Sequence, residues 1–552
     1  MTESHFFFFL LILLCNILSF STSDDVFVSI DCGASNSYTD DNLINWLGDE
    51  AYIDTGEVAA VKSNSSVSRP LDTLRVFDTR KKNCYHIDSI RPGRVLVRAS
   101  FNYGNYDGKS SPPTFDLLLD GNRWGTVETS SSDYVYYEVI YVMKKDSIVV
   151  CVAQTTEGHL PFISALEVRG LEANMYSYID DIYPLFLMRR AAYGAKSTIR
   201  FTSDPYDRIW TPFSAGEGLT TVSSNISFTG ISGIADNPPP AVLQNAITAT
   251  NRSTTIRLFL PLPSAQIPVY INFYFSEVSR LSPNDTRSFR IFKDNISFSQ
   301  PIVPIYENFT KLYVSNLLVS SNTTFYLVPS NDSTLAPLIN GLELFLVGPE
   351  LSSGTNTRDV GGLASLQKAF AILQGWRGDP CLPAPYSWDW INCSSGSTPR
   401  VKALFLDRFG LSGELPDLSS MDALETIDLQ NNNINGPIPD SLGNLANLKE
   451  LPPAPKTPAW LAGSHVSARC SVRNLANNNL SGTVPTSLSQ KKGLNLNVTG
   501  NPNLCSSRDA SCLSSDSSKK PKSSGTKNEN KISTEVLLAV TIASLVIMGM
   551  AI

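Results

Sequence analysis

Charge is scarce in this chain. Only 17% of its 552 residues are Asp, Glu, Lys or Arg, against about 25% in an average soluble protein. The net charge of -7 leaves no basic footprint, which argues against a nucleic-acid partner. Histidine is nearly missing: beyond the first residues it occurs only at His86, His159 and His465. No Cys-x-x-Cys is present either, so a metal site has little to build on. Gly-x-Ser-x-Gly, Gly-x-x-x-x-Gly-Lys, His-Glu-x-x-His and the kinase motifs are all absent. Adjacent carboxylates such as Asp40-Asp41 and Asp180-Asp181 read as solvated turn residues, not as a glycosidase pair. These absences point to a non-enzymatic protein with no metal or cofactor.

What is present is apolar and neutral-polar. Hydrophobic residues make up 42%, beside abundant Ser, Thr and Asn, 34 Pro and 33 Gly. That mix is unlike a disordered chain, and the length suggests three or four domains at roughly 150 residues each. Phe6 to Leu14 is almost wholly apolar and is followed by Ser19, Ser21 and Ser23. Residues 1–23 therefore read as a secretory signal peptide. Eleven N-x-S/T sequons fit that route: Asn64, Asn225, Asn251, Asn284, Asn295, Asn308, Asn322, Asn331, Asn392, Asn479 and Asn497. Seven of them lie between Asn225 and Asn331, which predicts much loop surface there.

Of nine cysteines, Cys15 belongs to the leader. Cys381 with Cys393, and Cys505 with Cys512, read as short-loop disulfides of an oxidising compartment. The pairing among Cys32, Cys84 and Cys151 is open.

From Asp24 to about Gly348 the chain is a series of short strand-like runs broken by Gly, Pro, Asn and Asp. Val95 to Ala99, Tyr134 to Val142 and Val269 to Phe275 are examples. Many short strands without long amphipathic helices imply β-sandwiches. A weak repeat supports two copies. LVRASFNYGNY (Leu96 to Tyr106) and PFISALEVRG (Pro161 to Gly170) match YINFYFSEV (Tyr270 to Val278) and APLINGLELF (Ala336 to Phe345). PTFDLLLDGN and TRSFRIFKDN match between them.

Asp359 to Leu373 places Leu363, Leu366, Phe370 and Leu373 on one helical face. Leucine-rich repeats follow, as LFLDRFGLSGELPDLSSM from Leu404 and LETIDLQNNNINGPIPDSLGNL from Leu424. Gly413 to Gly436 is 23 residues, one period. Gly436 to Gly482 is 46, yet only one repeat is recognisable in it. Removing Pro452 to Arg473 leaves LKELNLANNNLSGTVP and a spacing of 24. Residues 452–473 thus read as a retained intron or mis-joined exon, with a true loop insertion as the alternative.

After Cys512 comes a polar spacer, 513–535, and then Val536 to Ile552, 17 largely apolar residues. Two anchors fit. One is a glycolipid signal, with Ser523, Ser524 and Gly525 as attachment residues and Thr526 to Glu535 as the spacer. The other is a short transmembrane helix.

Several segments carry a family resemblance. DCGASNSYTDDNLINWLGDEAYIDTG, LRVFDTRKKNCYHI, FNYGNYDG, PFISALEVR and IRFTSDPYDRIWTPF resemble the malectin-like ectodomain of plant receptor-like proteins. GWRGDPCLPAPYSWDWINC resembles the N-terminal cap of plant leucine-rich repeats, including the Gly-Asp-Pro-Cys junction of symbiosis-receptor-type proteins. The resemblance implies a mainly β fold: malectin-like β-sandwiches at 24–175 and 176–348, a helix and cap at 359–395, and a short solenoid at 396–512. The sandwiches would be related to an animal diglucose-binding lectin. Tyr103, Asn105, Tyr106 and Asp107 combine aromatic faces with polar groups in one loop, the mix a sugar site needs. The implied function is a cell-surface, receptor-like or co-receptor protein, on the extracellular face of the plasma membrane. Its ligand would be a cell-wall carbohydrate, a peptide or a partner receptor kinase. The alternative is a wall-tethering, lectin-like glycoprotein without a signalling role.

Overall fold

A computed structural model describes residues 26–62, 67–225, 227–228, 236–445, 447, 473–490 and 496–505. The leader, Asn64, Cys470, Cys512, residues 452–472, the spacer and the 536–552 segment lie outside the described residues. Among the described residues, no helix is long and apolar enough to cross a membrane.

One antiparallel sheet forms the spine. Its main strands are β1 (Phe27–Asp31), β2 (Gly93–Phe101), β3 (Val135–Met143), β4 (Ala165–Gly170), β5 (Leu185–Tyr193), β6 (Ile267–Glu277), β7 (Thr310–Val319) and β8 (Gly341–Val347). The spatial order is β1-β4-β2-β3-β5-β8-β6-β7. The order 1-4-2-3 recurs as 5-8-6-7, so the internal repeat of the sequence is also a repeat of topology. Its halves join where β3 meets β5, through Val139 opposite Phe186 and Ile140 opposite Leu185.

Strand alternation assigns the two faces. On β2, Val95, Val97, Ala99 and Phe101 are buried in the first sandwich core, while Leu96, Arg98 and Ser100 point the other way. On β6, Val269, Ile271, Phe273 and Phe275 enter the second core, and Tyr270, Asn272 and Tyr274 face away. Each core is closed by a smaller antiparallel sheet. The first contains Lys82–Ile87, Ile148–Ala153, Thr114–Leu119 and Asn122–Glu128; the second contains Ile256–Leu258, Phe325–Pro329, Phe289–Lys293 and Ile296–Ser297. Cys84 and Cys151 stand opposite one another on paired strands and form a disulfide, which resolves the open trio. Cys32 remains a buried free thiol, pushed up in pKa by that burial.

The C-terminal part begins with α1 (Thr357–Ala369), capped by the Asn356 side chain accepting from the Arg358 amide. The helix stops at Ala369 because Phe370 is extended; Ala371–Leu373 adds a single short turn. Leu363, Leu366, Phe370 and Leu373 are all buried, and they cover the end of the solenoid core with Leu404, Leu406 and Met421. Gly362 sits so close to this core that a Cβ there would lie 2.2 Å from Met421. Cys381 and Cys393 close the cap around Trp388 and Trp390. Cys505 is disulfide-bonded.

The solenoid sheet consists of β9 (Ile391–Cys393), β10 (Val401–Phe405), β11 (Thr426–Asp428), β12 (Arg473–Asn474) and β13 (Leu496–Asn497), in that order. An asparagine ladder holds the coils together. Asn432 donates to the carbonyls of Leu406 and Leu429, Asn478 to those of Leu429 and Leu475, and Asn501 to that of Leu475. Asn432 and Asn478 are 46 residues apart yet occupy adjacent steps, because β11 pairs directly with β12.

Candidate functional site

The Tyr103–Asp107 loop follows β2 and makes a tight turn. Gly104 and Asn105 both take positive φ, and a Cβ on Gly104 would strike Val61 at 2.4 Å. Tyr103 is fully buried, and its hydroxyl donates to Asp107 Oδ1 at 2.6 Å while accepting from the Ser111 amide at 3.1 Å. Asn105 Oδ1 accepts from the Ser110 amide. Burial would raise the Asp107 carboxyl, but Tyr103 and the Lys109 amide hold it below the usual carboxylate range. Tyr106 is half-buried and packs edge-on against Tyr103, 5.6 Å between centroids. The four residues therefore meet, but their polar atoms satisfy one another and the Tyr103 ring faces inward.

Open polar groups occur elsewhere, at the joint between the two halves. The sheet face away from the sandwich cores is covered by the segment around 199–210 and carries a buried charge layer. Arg98 contacts Glu138 at 2.9 Å, Glu167 at 3.1 Å and Asp207 at 3.4 Å. Arg169 contacts Glu167 and Asp207, both at 2.8 Å. Arg190 lies 2.7 Å from Glu343 and also 2.7 Å from Glu138, the latter an ion contact off hydrogen-bond geometry. Arg200, at the rim, reaches Glu167 at 2.9 Å and Asp207 at 2.8 Å. Four guanidinium groups thus meet four carboxylates. Burial would raise Asp207, yet Arg98, Arg200 and Arg169 hold it far below its ordinary value. Burial is likewise outweighed at Glu343, by Arg190 and Arg208. The sequence motif containing Arg200 and Asp207 is therefore the clamp between the halves.

Beside this layer opens a cleft of about 320 Å³. Tyr134 and Tyr136, two apart on one face of β3 and its approach, line it with rings 6.5 Å apart and 25° from parallel. Trp46 lies at its edge, fixed by a bond from its Nε1 to Asp40. Sequence reading missed these residues. Their only signal was an aromatic pair at strand spacing, which a packed core produces equally well.

Of the ten sequon asparagines among the described residues, nine are exposed and Asn497 is half-buried. No group of three His, Cys, Asp or Glu among the described residues is placed to hold a metal ion.

Geometry defines the class first: a double β-sandwich sharing one sheet, followed by a capped leucine-rich-repeat stack. The malectin-like domain model matches residues 30–347, more than half of the chain, and the leucine-rich repeat model matches residues 423–445. The chain belongs to the malectin-like family. The "probable LRR receptor-like serine/threonine-protein kinase At1g05700" of Arabidopsis thaliana is 34% identical over 421 residues, covering 73% of this chain and 48% of that protein. "Uncharacterized protein At1g24485", also of Arabidopsis thaliana, is 36% identical over 352 residues, 62% of this chain and 70% of its own length. The crystal structure of the ANX2 ectodomain from Arabidopsis thaliana superposes with a TM-score of 0.50 at 18% identity, over 59% of this chain and 99% of that one. That likeness shows the fold. The chain spans about half the length of the receptor-like kinases it matches.

Proposed function

We propose that this chain is a non-enzymatic, receptor-like or co-receptor protein of the cell surface. It would engage an extracellular carbohydrate, a peptide or a partner receptor kinase. The observation carrying this reading is the order of its parts. A malectin-like unit and a leucine-rich-repeat stack occur together in one body, aligned over 73% of the chain with a receptor-like kinase. The exposed sequon asparagines support secretion and glycosylation, and either a glycolipid or a transmembrane anchor would hold the chain at the membrane. Surface biotinylation of intact cells, followed by purification of the tagged chain, tests this. The expected result is labelling from outside and co-purification of a receptor kinase with a similar ectodomain. Labelling only after lysis, or measurable turnover of wall polysaccharides by the pure chain, would overturn it. Phospholipase release from intact cells separates the glycolipid anchor from the transmembrane one.

A further inference from the structure

The joint cleft differs from the Tyr103 loop in one respect that matters for binding. Its polar side chains are free. Among the described residues, the side chains of Asn42, Ser68, Ser100 and Thr198 and the hydroxyl of Tyr136 make no hydrogen bond, although all of them line the cleft. They converge from four segments. Asn42 precedes the strand Asn45–Gly48, Ser68 precedes the turn Arg69–Leu71, Ser100 is on β2, and Thr198 comes from the second half of the chain. All five are neutral, and each can donate and accept.

The apolar part of the wall is aromatic. Tyr134 is 38% exposed, so its ring is open to a ligand, and Tyr136 lies nearly parallel behind it. Flat aromatic faces with a few convergent hydroxyls and an amide suit a molecule that has apolar C–H faces and hydroxyl edges. Charge in the wall is already neutralised: Arg200 at the cleft is held by Glu167 and Asp207. An anionic ligand would have to compete with two buried carboxylates for that guanidinium. A volume of about 320 Å³ is at the small end for ligand pockets, which fits one or two sugar rings.

We propose that the cleft between the two sandwich halves binds a neutral saccharide of one or two rings. Tyr134 supplies the stacking face, and Asn42, Ser68, Ser100, Thr198 and Tyr136 supply the hydrogen bonds. The inference deepens the receptor-like reading above and rests on it.

The test uses the full chain, expressed in plant cells and purified in detergent. An Asn64→Gln background removes the sequon three residues from Val67 at the cleft. Cellobiose and maltose are titrated and followed by saturation-transfer NMR and calorimetry. The expected result is saturable binding of at least one, with a Kd on the order of 1 mM. Tyr134→Ala should weaken it by about tenfold or more, and Asn42→Ala should weaken it less. Tyr313→Ala, which removes an exposed ring stacked on Tyr178 at the far side of the sheet, should leave it unchanged. Circular dichroism confirms that each variant is folded. The proposal is overturned if neither disaccharide binds at its highest soluble concentration. It is also overturned if Tyr313→Ala, and not Tyr134→Ala, removes binding, or if digalacturonate binds while the neutral sugars do not. Loss of sugar binding with continued capture of a partner receptor would sink only the saccharide site. Loss of both would sink the receptor-like reading as well.

Discussion

Asp207 is fully buried and is shared by Arg98, Arg169 and Arg200, which come from β2, β4 and the covering segment. Removing its charge leaves three guanidinium groups short of a partner in a place with no water to replace it. Asp207→Asn should cost about 3–5 kcal/mol of stability, read from urea unfolding of the ectodomain. Arg358→Ala removes an exposed pair with Asp422 and should change stability by about 0–1 kcal/mol. Equal effects from both would contradict the clamp. The pH sign follows from direction. Asp207 and Glu343 titrate below their unfolded values, so their contribution is present above about pH 4 and is lost as pH falls below it. Little of this was legible beforehand. Arg98 stands between valines at a position that alternation assigns to the face away from the core. A solvated face and a covered one give the same pattern, and only the return of residues 199–210 distinguishes them.

Strands and coils were far more legible, because their periods are local. Alternation located β2, β3 and β6, and the 23-residue period located the solenoid. The matched segments of the two halves proved to be topological equivalents: β2 pairs with β4 as β6 pairs with β8. The long third period has a structural counterpart. Asn474 pairs with Asp428, which sets Arg473 opposite Ile427, a buried interior residue. Joining Leu451 directly to Asn474 would set a leucine at that place and complete the pattern Leu-x-x-Leu-x-Leu-x-x-Asn. A chain lacking 452–473 should therefore keep its fold and melt at the same temperature or higher, followed by circular dichroism. Loss of cooperative melting would show that the 22 residues are integral to the solenoid.

At the scale of the whole molecule, the cap rests on the first sandwich and not on the second that precedes it in sequence. Lys82 donates to the carbonyls of Asp379 and Leu382, Arg80 to that of Gly375, and the Tyr386 hydroxyl to Asp116. These contacts join residues 270 to 300 positions apart, and no local pattern could have revealed them. Burial lowers the Lys82 ammonium to about 8, with Asp379 and Asp389 offsetting only part of it. The unfolded chain holds that proton up to about pH 10.4, so stability should rise between pH 8 and 10 as the cost of the buried charge is relieved. Lys82→Met should flatten that slope in thermal melts across the range; an unchanged slope would assign it to other groups. The shared sheet also sets a schedule. β8 fits between β5 and β6, so the second half cannot close until Gly341–Val347 has been made. At about 5–20 residues per second, the roughly 150 residues after Tyr193 take on the order of 10 s or more. During that wait β5 and β6 present unpaired edges, which are templates for aggregation. Seven of the eleven sequons fall within this stretch, where early attached sugars would keep a half-made sheet apart from its neighbours.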